Sequence, residues 1–88
     1  DGTKSEWRDA TGTVQLVEVS LHKGWYGEAV SLIEKNTDAR VAFITRLGEA
    51  LLPDEHTVLQ EGDLVHVFAN EKKISAIEKS LSKSPEGA

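Results

Sequence analysis

The sequence contains no cysteine and no methionine, and its 88 residues include only two prolines, two tryptophans, two phenylalanines and one tyrosine. Without cysteine there is no disulfide framework, no thiolate zinc site and no thiol nucleophile. Small secreted domains commonly depend on disulfides, so their absence favours a cytoplasmic setting. No apolar run approaches the ~20 residues that span a bilayer, and no charged-then-apolar leader opens the sequence, so direct membrane insertion is not expected. Asp1 stands where an initiator methionine would, which points to a segment of a longer protein. Positive charge is scarce too: 10 Lys and Arg against 15 Asp and Glu leave a net charge of −5. The cations are scattered, whereas counterion release from a phosphate backbone needs them clustered, so neither nucleic acid nor an anionic membrane surface is expected as a partner.

What remains is a small globular domain, with 39% apolar and 28% charged residues. Residues 1–12 are polar and without periodicity apart from Trp7, and read as a linker or tail; residues 82–88 read as a flexible C-terminal tail. The folded unit is expected over residues 13–81. Val14 to Leu21 alternates as a strand, with Val17, Val19 and Leu21 on one face. Gly24 and Gly27 bracket Trp25-Tyr26 at the approach to a helix over 28–35, where Ala29, Leu32 and Ile33 share a face. Val41–Thr45 and Ala50–Leu52 predict a hairpin, ended by Pro53-Asp54. Residues 64–69 are apolar on both faces, which predicts a central strand. Asn70 then caps a helix whose stripe is Ile74, Ile77 and Leu81. The expected order is β-α-β-β-β-α, an α+β domain.

Few residues offer chemistry. His22, His56 and His66 are separated by gaps that match no metal-ligand spacing, so no metal is expected. His66, within an apolar strand, reads as a hydrogen-bonded core or interface residue. The acids of Asp54-Glu55 and Glu61-Gly62-Asp63 lie on turn signals, where Asp commonly bonds its own backbone. There is no nucleophile elbow, dinucleotide loop or Walker-type loop, and no enzyme is expected. Trp25 and Tyr26 read either as a plug at one end of the sheet or as anchors at a subunit contact. Arg40 and Arg46 flank the second strand, either as solvated charges or as a fork for a phosphate or carboxylate. Should an anion bind, Arg46 and Arg40 are the candidates, with His56 and Asn36 as polar accessories. The strands at 14–21 and 64–69 offer apolar residues on both faces, and two short helices cannot cover them, so a self-contact is expected.

The ordered residues carry a resemblance. Gly27 stands at a helix entry; Ala39-Arg40-Val41-Ala42-Phe43-Ile44-Thr45-Arg46 is followed by Gly48 and Pro53. Thr57-Val58-Leu59-Gln60-Glu61-Gly62-Asp63-Leu64-Val65-His66-Val67-Phe68 completes the run. This pattern resembles the RCK C-terminal, or TrkA-C, domain of TrkA-type potassium-uptake regulators. The resemblance implies a non-enzymatic regulatory domain of a cytoplasmic subunit, pairing as a homodimer within a larger ring. It implies a membrane-embedded potassium transporter subunit as partner, and so a peripheral location on the inner face of the membrane. NAD or ATP would bind an upstream Rossmann-type domain, and cyclic di-AMP binds across the dimer contact in certain relatives. Glu28 stands where the family often has Lys, and an acid there would repel a phosphate. The alternative reading is a pure oligomerisation module without a ligand.

Overall fold

The computed structural model describes residues 3–86. Five strands and two α-helices run in the order β1 (Thr3–Arg8), β2 (Val14–Val19), α1 (Ser31–Asn36), β3 (Arg40–Arg46), β4 (Glu49–Leu51), β5 (Leu64–Asn70) and α2 (Ile74–Leu81), with short 3-10 helices at Lys23–Trp25 and Glu71–Lys73. The strands form one antiparallel sheet in the order β1-β2-β5-β3-β4. The α+β class and the central position of 64–69 are as expected.

The strand patterns explain the layering. In β2, Gln15, Val17 and Val19 are buried, and the register sets them opposite Ala69, Val67 and Val65 of β5. Because side chains alternate along a strand, these residues share one face. Ile44 of β3 completes that side of the core, together with Val30 and Ile33 at α1 and Ile77 and Leu81 of α2. The other face carries Leu16, Glu18, His66, Phe68 and Phe43, and no element among the described residues covers it. Phe68, Trp7 and Val14 there are 40%, 50% and 37% exposed.

Four local expectations are corrected. Residues 3–8 are an edge strand paired with β2 rather than a linker, and the register shift between Ser5 and Trp7 breaks the alternation that marks a strand. Helix α1 begins at Ser31, three residues late, because the backbone before it is engaged elsewhere. Gly27 N–H donates to Leu59 O, Val30 N–H to Thr57 O, and Leu59 N–H to Glu28 O, tying 27–30 to the loop at 57–59. Strand β4 is Glu49–Leu51, and Leu52 projects into solvent.

The fourth correction is the C-terminal tail, which is tied down through residue 86. Trp25 Nε1 donates to Lys83 O at 2.8 Å, and Asn36 Nδ2 to Glu86 O at 3.1 Å. Gly24 is what lets the tail approach: a Cβ there would lie 2.5 Å from Ser84 Oγ. Trp25, 1% exposed, is therefore a plug whose indole N–H satisfies the tail's backbone.

Candidate functional site

Arg46 closes β3, and its fork is filled by the chain itself. Nε donates to Asp63 Oδ1 at 2.9 Å, and Nη2 donates to Asp63 Oδ2 at 2.8 Å and to Val58 O at 2.9 Å. Asp63 also accepts from Gln60 N–H, and its side chain is fully buried. Burial alone would raise this carboxyl; the Arg46 guanidinium and the Gln60 N–H outweigh it and hold the group below its ordinary value. The bidentate pair fastens the loop before β5 to the end of β3. Arg46, one of the two arginines read as an anion fork, is thus engaged with Asp63 and the Val58 carbonyl in this structure.

The other three candidates do not join it. Arg40 opens β3, so it lies about 20 Å from Arg46 along an extended strand. Its Nη1 reaches only the neighbouring Ala39 carbonyl, and it stands opposite Phe68 at the rim of the uncovered face. His56 is in the turn after β4 with an exposed ring, 3.3 Å from the equally exposed Glu55 carboxylate. Asn36 ends α1 and lines a cavity of about 270 Å³ with Trp25, Lys35, Ser80, Lys83 and Ser84. Of the residues proposed for a subunit contact, Trp25 and His66 are buried within the chain, and only Tyr26 reaches the surface.

His66 has a richer setting than its spacing in the sequence implies. Its ring stacks on Phe43 at 4.0 Å, Nε2 is 2.8 Å from Thr45 Oγ1, and Nδ1 is 2.6 Å from Glu6 Oε1. Glu18 faces it from β2, so that ligand atoms of Glu6, Glu18 and His66 lie within 4.8 Å of one another. Three strands deliver these residues, and no linear motif could have marked them. The one signal available was His66 itself, a polar residue in an apolar strand.

Beside this cluster the uncovered face carries an apolar patch, with Lys4 and Arg40 among its neighbours. Trp7 meets Phe68 edge-on at 6.0 Å, beside Leu16 and Val14. No described helix is long and apolar enough to cross a membrane. This face thus combines exposed apolar side chains with the buried His66.

Comparison with known proteins agrees with this architecture. The sequence matches the profile of the TrkA-C domain family over residues 14–82. It is 49% identical over 85 residues to the Trk system potassium uptake protein TrkA of Streptomyces coelicolor, covering 97% of this chain and 38% of the relative. The chain thus spans well under half of that relative's length. Among solved structures, the GsuK RCK domain superposes with a TM-score of 0.77 at 23% identity, covering 97% of this chain and 19% of the other. The GsuK channel gives 0.75 at 24% identity, covering 97% of this chain and 16% of the other, and shares the same fold. On the family profile, which spans most of its length, this chain belongs to the TrkA-C domain family.

Proposed function

We propose that this chain is the C-terminal regulatory domain of a cytoplasmic subunit of a potassium-uptake system, acting without catalysis through self-association. The observation that carries this reading is the uncovered sheet face, an apolar surface on a domain whose core is already complete on the other side. Family membership supplies the setting: the S. coelicolor relative is a Trk system potassium uptake protein. On this reading the domain pairs as a homodimer within a ring, and the ring meets a membrane-embedded transporter subunit. NAD or ATP would act on a separate Rossmann-type lobe. The domain contributes a bistable contact whose geometry the rest of the assembly biases.

The test is an exchange. The matching 85-residue segment of the S. coelicolor protein is replaced by this chain, and rubidium uptake is followed under potassium limitation. Retained, regulated uptake is expected; absent or unregulated uptake with normal protein levels counts against the reading.

A second reading, sensing of an anionic ligand such as cyclic di-AMP, draws on the cavity at Lys35, Asn36 and Lys83. With Arg46 engaged by Asp63, these residues are the ones this reading relies on. Calorimetric titration with cyclic di-AMP decides it: saturable heat lost in Lys83→Ala supports a sensor, and no heat leaves assembly alone.

A further inference from the structure

From the cluster on the uncovered face we infer that Glu6, Glu18 and His66 bind a divalent transition-metal ion such as zinc. The set is one imidazole nitrogen and two carboxylates, a donor combination that suits borderline cations. It departs from the expectation drawn from sequence spacing, which concerned ligands close together in the chain; these come from three strands.

The geometry is nearly that of a site. Ligand atoms around a tetrahedral zinc lie ~3.3 Å apart, given bonds of ~2.0–2.1 Å. Here the His66 Nδ1–Glu6 separation is 2.6 Å and no pair exceeds 4.8 Å. Small rotations of the two glutamates accommodate an ion. The imidazole itself is fixed: 4% of its side chain is exposed, Phe43 stacks on one face, and Thr45 Oγ1 meets the far nitrogen. With Thr45 Oγ1 holding Nε2, the outer-shell arrangement that orients ligating histidines, an ion would take the place of the proton that Nδ1 shares with Glu6 at 2.6 Å.

The charges point the same way. Two carboxylates lie within reach of each other, and the Glu18 carboxylate has no hydrogen-bond partner among the described residues. Lys4 is opposite Glu18 in register, yet no ion pair joins them. Glu6 is brought to the cluster by the irregularity between Ser5 and Trp7, the kind of bulge that re-aims a side chain. A divalent cation neutralises both acids and replaces the proton held between Nδ1 and Glu6.

The experiment titrates zinc chloride into the 88-residue chain, and into its Glu6→Gln and Glu18→Gln variants, by calorimetry. The 15N resonances of the His66 ring are recorded alongside. Glutamine keeps the size of each side chain, so the fold is retained. Saturable binding of one ion per chain is expected, with Nδ1 shifted, and weakened at least ~10-fold in either variant. Calcium should bind far more weakly, having no preference for imidazole. Absence of saturable binding at millimolar zinc, or binding indifferent to both substitutions, overturns the proposal. Repeating the titration with Phe68→Glu, which alters the apolar surface and leaves all three ligands, separates ion binding from self-association.

Discussion

Arg46 and Asp63 lie 17 residues apart and act as a single clasp. Asp63 is wholly buried and Arg46 is 23% exposed, so removing the arginine leaves an unpaired charge inside the protein. Arg46→Ala should cost about 3 kcal/mol, toward the low end for orphaning a buried partner because this guanidinium reaches water. The penalty depends on pH with a definite sign. The folded-state value of Asp63 lies below 3.8, so the pair stabilises fully above that pH and loses its effect as pH falls through the depressed value. In the variant, the orphaned carboxyl takes up a proton more readily, so the two proteins converge in acid. Urea unfolding at about pH 7 and about pH 3 measures both gaps; a gap undiminished in acid would assign the loss to packing. Asp9 acts in the same sense. Its hydrogen bonds from the Thr11 hydroxyl and from the N–H groups of Val14 and Thr11 hold it at about 2 and tie the β1–β2 turn. The sequence pattern marked Arg46 and Gly62-Asp63 as features of one family. It carried no information on whether the arginine faces a ligand or the aspartate, because that depends on how the loop at 57–63 folds back against β3.

Elements reveal where sequence periodicity stops being informative. The strands β2 and β5 were legible because both must satisfy a buried face, and the hairpin was legible from its turn. Strand β1 was not: its residues are almost all exposed, and the bulge sets Glu6 and Trp7 out of alternation. The start of α1 was obscured for a different reason, since its helical periodicity continues backward into residues whose backbone bonds go to the 57–59 loop. The β3–β4 turn makes a prediction of its own. Leu47 and Gly48 both have positive φ, 52° and 80°, the two-residue geometry that matches the twist of a hairpin. Glycine adopts it freely, whereas leucine suffers crowding of its Cβ, and Leu47 at 98% exposure gains nothing from burial. Leu47→Asn should therefore stabilise the isolated domain by about 0.5–1 kcal/mol, seen as a higher thermal midpoint. An unchanged or lower midpoint would mean that the leucine side chain contributes something in solution that offsets its backbone strain.

At the scale of the whole molecule, the radius of gyration of 12.0 Å matches the ~12 Å expected of a compact chain this long. The domain thus completes its fold with one side of the sheet bare. This refines the idea that two short helices leave apolar surface over: they cover one face fully, and the excess is concentrated on the other. Such a surface need not be hidden for the chain to fold, so association should be reversible and concentration-dependent rather than obligate. With only a few large apolar side chains exposed, a contact through this face would belong at the small end of specific interfaces. On this face Phe68 lies against Trp7 and opposite Leu16 and Arg40. Phe68→Glu adds charge to an exposed position and removes nothing from the core beneath the helices. Sedimentation velocity over rising concentration should carry the native chain from monomer toward dimer, while Phe68→Glu stays monomeric with the same thermal midpoint. A native chain that remains at 9.6 kDa throughout would remove self-association through this face and with it the assembly mechanism. A variant that dimerises as readily as the native chain would move the contact elsewhere, with the exposed Leu47 and Leu52 of the hairpin as the next surface to alter.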